Sequence, residues 1–130
     1  MEQTLAIIKP GFVSQAGNII SMIQDRGFEI KNMKMMWFTK EQAKQFYAEH
    51  DGKDFFPGLV EYTTSAPVIA MILEGGNAIK RYRNLMGATE PRKAGGGTLR
   101  GLFGKGVPHN AVHGSDSVEA ARREIALVFK

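Results

Sequence analysis

Thr4-Leu5-Ala6-Ile7-Ile8-Lys9-Pro10-Gly11 decides the fold. Thr4 to Ile8 is a nearly unbroken apolar run, the pattern of a strand buried on both faces. Proline cannot continue a central ladder, so the strand ends at Lys9. Lys9 therefore stands at the C-terminal edge of a central strand, where open sheets flanked by helices tend to bind ligands. The plainer alternative is a solvated strand end. A second run of the same kind, Pro67-Val68-Ile69-Ala70-Met71-Ile72-Leu73, supplies another central strand.

Helical and strand patterns fill the space between and around these runs. Ala16, Ile19, Ile20 and Ile23 follow helical spacing, with Gly27 placed to end the helix. Phe28 to Phe38 has the character of a long strand whose large apolar residues change phase near Asn32, which predicts a bulge or bend. Its Met33, Met35 and Trp37 are assigned to the core rather than to a ligand box. Thr39 with Gln42 forms a capping box for a helix that carries Ala43, Phe46 and Tyr47 on one side. Asp54 is the expected cap of a second short helix, Phe55 to Tyr62, with Pro57 in its first turn. Phe55 and Phe56 are both assigned to the core, with ligand stacking by one of them as the alternative. Gly75-Gly76-Asn77 leads into a helix from Ala78 to Met86, closed by Gly87. Ile79, Tyr82 and Met86 face inward there, and Arg83 lies one position from that face. The last helix, from Val118 to about Phe129, has Val118, Ala121, Ile125 and Val128 as its buried stripe. Reduced to its core the order is β-α-β-β-α-β. This predicts an α+β, ferredoxin-like sandwich with an antiparallel four-stranded sheet and helical insertions.

The chain has 130 residues, enough for one domain spanning positions 1–130. Hydrophobic content of 43% and charged content of 23% argue against disorder. The longest apolar run is too short to cross a bilayer, so no membrane association is expected. The first residues lack a basic segment followed by a long apolar one, so no secretory signal is expected. The absence of cysteine excludes disulfides and thiolate chemistry and suits a cytoplasmic location. A net charge of +4 points to an anionic partner, whether nucleic acid, an acidic surface or a phosphorylated small molecule.

The least ordinary stretch is Thr89 to His109. It holds Gly95, Gly96, Gly97, Gly101, Gly104 and Gly106, and it sets Arg92, Lys93, Arg100 and Lys105 against a single acid, Glu90. Loops this long in compact domains are functional or disordered. Thr98 to Phe103 can form one helical turn, with Leu99, Leu102 and Phe103 tethering it. Such a basic, glycine-rich loop suits phosphate binding, because backbone N–H groups and guanidinium forks converge in it. A flexible basic surface loop is the competing interpretation. After the loop, Asn110-Ala111-Val112-His113-Gly114-Ser115-Asp116-Ser117 ends a short apolar run in an imidazole and turns at once. Gly114 is expected to let the backbone approach whatever His113 faces, and Ser115, Asp116 and Ser117 offer cap chemistry. A histidine at such a corner can be a nucleophile or a general base, or merely part of a surface turn. Glu124 falls on or beside the apolar stripe of the last helix and needs a partner there. That helix packs back against the turn it starts from, which makes His113 the candidate. The pairing would fix the imidazole's tautomer and raise its basicity.

Several catalytic signatures are absent. No G-x-x-x-x-G-K-[ST] phosphate loop, protein-kinase set or G-x-S-x-G elbow occurs. His109 and His113 do not sit in an H-E-x-x-H.

The residues as they stand resemble the nucleoside diphosphate kinase family over nearly the whole chain. The most specific segment is Asn110-x-x-His113-Gly114-Ser115-Asp116-Ser117. Supporting segments follow in the family's order: Ile8-Lys9-Pro10, Tyr47, Phe55-Phe56-Pro57-Gly58-Leu59, Arg83, Met86-Gly87-Ala88-Thr89, Gly97-Thr98-Leu99-Arg100 and Glu124. The resemblance implies a ping-pong transfer of the γ-phosphate from a nucleoside triphosphate to His113 Nδ1 and on to a nucleoside diphosphate, maintaining nucleotide pools. It implies that Lys9, Tyr47, Arg100 and Asn110 surround the transferred phosphate and the ribose hydroxyls. Arg83, Thr89 and Arg100 would hold the β and γ phosphates, bridged by Mg²⁺ that the nucleotide carries rather than the protein. Phe55 would stack on the base, Leu59 and Val107 would line its slot, and Glu124 with Ser115 would support His113. It further implies a homo-oligomer, a tetramer or hexamer. The loop's glycines are then expected to let the backbone pass close to the nucleotide. The chain departs from the family's pattern in Lys9-Pro10-Gly11-Phe12, where an Asp and a small residue usually follow the proline and the link to the first helix is longer. Leu102 stands where an acid is common, and the chain ends at Lys130 without the customary extension. The competing function is a non-catalytic nucleotide or single-stranded nucleic-acid binding module. The aromatic signature of sheet-based RNA binders is missing, and nucleic acid is not required by the enzymatic alternative.

Overall fold

The computed structural model describes all 130 residues. Four strands form one antiparallel sheet in the order β2-β3-β1-β4. They are β1 (Glu2–Ile8), β2 (Glu29–Met36), β3 (Val68–Gly75) and β4 (Val112–Gly114). The two apolar runs, β1 and β3, are the central strands, as their composition demands. The two central strands, the antiparallel pairing and the β-α-β-β-α-β core are those expected from the sequence.

Alternation along β1 divides the core in two. Ala6 and Ile8 project toward α1 (Ala16–Asp25) and α4 (Ala78–Met86), where they meet Ile19, Ile23, Tyr82 and Met86. Leu5 and Ile7 project the other way, into a cluster with Phe46 of α2 (Lys40–Phe46), Val60 of α3 (Phe56–Thr63) and Val128 of α6 (Val118–Val128). A strand buried on both faces has to read as continuous hydrophobe, and β1 does.

Local chemistry sets the helix ends. Thr39 and Gln42 make the reciprocal capping box that opens α2. Ser117 Oγ accepts from the Ala120 N–H and starts α6. Gly87, at φ +83°, ends α4 in a conformation that side chains resist. At the start of α4, Glu2 from β1 supplies the cap, its carboxylate accepting from the Ile79 N–H at 2.9 Å.

Several expectations need correction. The register of β2 does shift between Ile30 and Asn32, but β2 is an edge strand without a helix over its outer part. Met33, Met35 and Trp37 are therefore exposed, Met35 to 61% and Trp37 to 60%, rather than core. Asp54 does not cap α3; Phe55 occupies the cap position and no side chain caps the helix. Phe56 is core but Phe55 is 54% exposed, because adjacent residues on a helix point in different directions. Val118 and Leu102 also lie outward, whereas Leu99 is fully buried.

Gly114 serves the face opposite His113. A Cβ on it would meet Tyr82 Cδ2 at 2.6 Å and Met86 Cε at 2.7 Å. The glycine lets α4 close onto β4. Replacing it is expected to overpack this contact, so Gly114→Ala should lose about 1–3 kcal/mol in urea denaturation, while Gly17→Ala, which meets open space, should not.

Candidate active site

β4 is three residues long, yet its register places the chemistry. His113 pairs with Ile7, and paired residues of an antiparallel ladder project to the same face. His113 therefore points to the α2, α3 and α6 side, against the rings of Phe46 and Tyr47 at centroid distances of 5.0 and 6.3 Å.

Beneath it lies Glu124, 4% exposed on α6. Its Oε1 is 3.0 Å from His113 Nε2 and accepts from Ser115 Oγ at 2.8 Å. The Arg123 guanidinium stands 3.8 Å from Oε2. Burial, the largest influence, pushes the Glu124 carboxyl upward. The His113 hydrogen bond and charge, with the Ser115 bond and Arg123, outweigh it, so the group titrates below its ordinary value. An ionised carboxylate only accepts, so Nε2 carries the proton of the shared bond. In the neutral ring Nδ1 then keeps its lone pair. Ser115 Oγ also accepts from the Leu5 N–H at 3.2 Å, tying the pair to the central strand.

His113 opens into a cleft of about 610 Å³ whose wall includes Lys9, Tyr47, Phe55, Leu59, Thr89, Arg100, Val107 and Asn110. Lys9, at the end of β1, donates to Asn110 Oδ1 at 2.7 Å and to the Pro108 carbonyl at 3.2 Å. Burial and then the Arg100 charge push its ammonium down to about 7. Asn110 is buried and donates to the Thr89 carbonyl at 2.9 Å. The Arg100 guanidinium, on the short α5 (Leu99–Phe103), donates to the Val112 and Gly87 carbonyls at 3.0 and 3.3 Å. Its Nε is buried without a partner. Burial lowers the Arg100 pKa, and Arg83 adds to the effect. Tyr47 keeps its proton, its pKa raised first by burial and then by the Glu124 charge.

Of the site residues named from the sequence, Arg83 alone among the nucleotide ligands does not line the cleft. Its side chain is exposed on α4, near enough to Arg100 for their charges to interact. The glycines are also reassigned in part. A Cβ on Gly101 would lie 2.2 Å from the Gly95 carbonyl oxygen, and one on Gly104 would lie 2.6 Å from Pro91 Cγ. These two let the loop pack on itself.

The cleft also recruits residues that sequence reasoning missed: His50, Tyr62, Pro108 and His109. Tyr62 had a usable signal, since Phe55, Leu59 and Tyr62 are spaced i, i+4, i+7 along one helix face. His50 had none; it is brought in by the single turn after α2 and lies 5.2 Å from the Phe55 ring. The assembly is a cationic pocket with an aromatic and aliphatic end. It suits a phosphorylated ligand with a flat apolar group, and it presents an imidazole nitrogen to that ligand.

The family model described as nucleoside diphosphate kinase matches residues 2–130. Three solved structures are similar throughout. A nucleoside diphosphate kinase of Aquifex aeolicus is 43% identical, with a TM-score of 0.93, over 99% of this chain and 95% of that one. A halophilic nucleoside diphosphate kinase from Halobacterium salinarum, solved in complex with CDP, is 42% identical, with a TM-score of 0.95, over 99% of this chain and 88% of that one. The nucleoside diphosphate kinase of Encephalitozoon cuniculi is 34% identical, with a TM-score of 0.95, over 98% of this chain and 88% of that one.

The depressed Glu124 pKa has a consequence for stability. A carboxyl whose folded pKa lies below its unfolded value stabilises the fold above that unfolded value. The contribution is lost as pH falls through the folded pKa. Stability of the parent protein is therefore expected to fall as pH drops below the ordinary value of 4.5, and Glu124→Gln should show a shallower fall. Parallel urea titrations of both proteins across that range measure the difference; superimposable pH profiles would contradict it.

Proposed function

The chain belongs to the nucleoside diphosphate kinase family and transfers phosphate between nucleotides, and we propose that the phosphate travels through a phosphohistidine at His113. One observation carries this proposal. His113 Nε2 lies 3.0 Å from Glu124 Oε1 and the residue lines the same pocket as Lys9, Arg100 and Asn110; a proton shared in that bond leaves the Nδ1 lone pair of the neutral ring for the phosphate.

A nucleoside triphosphate enters with its base against Phe55, between Leu59 and Val107. Apolar contact without base-edge hydrogen bonds makes the slot tolerant of different bases. The β and γ phosphates lie at Thr89 and Arg100, with Arg83 reaching in from α4. Lys9, Tyr47, Arg100 and Asn110 surround the γ-phosphate and the ribose hydroxyls. An arriving phosphate restores the proton that burial and Arg100 draw from Lys9, because an anion favours the ammonium.

Nδ1 attacks the γ-phosphorus in line with the bridging oxygen. The P–N bond forms as the P–O bond breaks, and the electron pair leaves on the β-phosphate of the nucleoside diphosphate. The ring gains positive character as Nδ1 bonds phosphorus, and Glu124 stabilises it through Nε2–H while Ser115 orients the carboxylate. A second nucleoside diphosphate then attacks the phosphohistidine by the reverse path, which maintains nucleotide pools. The protein's work is positioning and charge neutralisation, as phosphoryl transfer requires. Mg²⁺ fits here as an ion carried on the phosphates, neutralising their charge. The cleft offers cations and amides to phosphate oxygens, and Glu124 is already engaged by His113 and Ser115.

The cysteine-free sequence supports a cytoplasmic location for this chemistry. We also infer a homo-oligomer, a tetramer or hexamer. The edge strand β2 and the residue after it leave Met33, Met35 and Trp37 in solvent, and an unpaired apolar edge favours a neighbour.

Two measurements test these proposals. Incubation with γ-labelled ATP and Mg²⁺ should leave acid-labile label on the protein, discharged by any nucleoside diphosphate and absent from His113→Ala. Undiminished label on that variant would remove the phosphohistidine. Light scattering of the purified protein should return the mass of a tetramer or hexamer, and a monomer would refute the assembly.

A further inference from the structure

Tyr62 holds two segments at once. Its hydroxyl donates to the Pro10 carbonyl at 2.6 Å. Its ring lies against His109, with centroids 4.4 Å apart. Pro10 follows Lys9 in the chain. His109 lies between Pro108 and Asn110, the two residues that receive the Lys9 ammonium. One side chain therefore grips both the backbone that carries the lysine and the segment that holds its tip.

The turn after Lys9 has few other anchors. The Lys9 N–H donates to the Ala111 carbonyl, and the Phe12 N–H donates back to the Lys9 carbonyl. Pro10 has no N–H to offer. Gly11, at φ +87°, is followed by Phe12, which is buried in the core. The Pro10 carbonyl has Tyr62 as its partner, and without that bond the peptide between Pro10 and Gly11 is free to rotate. Burial pushes the Tyr62 phenol up to about 12, so it remains a donor at neutral pH. Because Leu59 lies on the same helix, α3 joins the slot assigned to the base to the end of β1.

We propose that Tyr62 is a positioning residue for phosphoryl transfer: it clamps the turn after Lys9 against the Pro108–Asn110 segment and so fixes the Lys9 ammonium at the phosphate end of the cleft. The inference rests on the role proposed above for Lys9. Tyr62 forms no bond to phosphate in this scheme; it acts through the lysine.

The test is a double-variant cycle read by rapid-quench labelling across a range of γ-labelled ATP concentrations up to saturation. Tyr62→Phe keeps the ring and deletes the hydroxyl. It should slow labelling of His113 about tenfold, since small misplacements of a positioning group cost that much or more, and leave KM for ATP unchanged. In a Lys9→Ala background the same substitution should produce no further loss. His109→Ala, at an exposed position, is a second variant and should slow labelling in the same lysine-dependent way. The proposal is overturned if both variants label at the parental rate, if their losses persist undiminished without Lys9, or if only KM changes. A parent protein that takes no label defeats the phosphohistidine proposal itself, an outcome distinct from a labelled parent with indifferent Tyr62 and His109 variants.

Discussion

A carboxylate taken out of water under α6 is the constraint on which the rest of the site depends. An isolated buried charge costs several kcal/mol, so Glu124 can lie in the stripe of α6 only where donors meet it. His113 from β4 and Ser115 from the turn beyond it supply them, and Ser115 is fastened to Leu5 of β1. Packing of α6, closure of β4 onto the sheet and orientation of the imidazole are thus one event. His113 lines the cleft while its Nε2 is engaged by the carboxylate that α6 has to satisfy.

The basic loop is ordered by the same kind of constraint with the charges reversed. Arg100 sits on a short helix fixed by buried Leu99 and capped by Thr98. Its guanidinium is turned inward by two backbone carbonyls. Lys9 approaches from the other side and is likewise held by oxygen atoms rather than by acids. Burial first, and then repulsion from the Arg100 cation held close by, push the Lys9 ammonium below its ordinary value. An anion between the two cations relieves that repulsion. Both cations are thus held in defined positions by protein oxygen atoms.

Much of this was legible in the sequence. The doubly apolar strands, the capping box, the extent of α4 and the pairing of Glu124 with His113 follow from local pattern and from the need to satisfy a buried charge. The misassignments share one cause, which is that periodicity identifies an apolar face without saying whether anything covers it. Met33, Met35 and Trp37 carry a core-like pattern but lie on or just beyond the edge strand. Phe55 and Phe56 are indistinguishable by composition and separate only through the helix's rotation. Gly114 looked like a space left for the active site, and only three-dimensional packing shows that Tyr82 and Met86 require it. His50 and His109 reach the cleft through turns, where no period exists to be read.

The pleat of β4 also bears on how this protein can change over generations. Val112 and Gly114 face α4 while His113 faces the cleft, and the strand is three residues long. One residue inserted or deleted between Ala111 and Ser115 would send the imidazole into the Tyr82 side of the core and a neighbour into the cleft. Length drift within this segment is therefore barred at a single step, whereas point substitutions can be sampled one by one. The segment between Phe12 and α1 has no strand parity to preserve, so insertions and deletions can accumulate there, provided that the Pro10 carbonyl keeps Tyr62 and Phe12 keeps its place in the core.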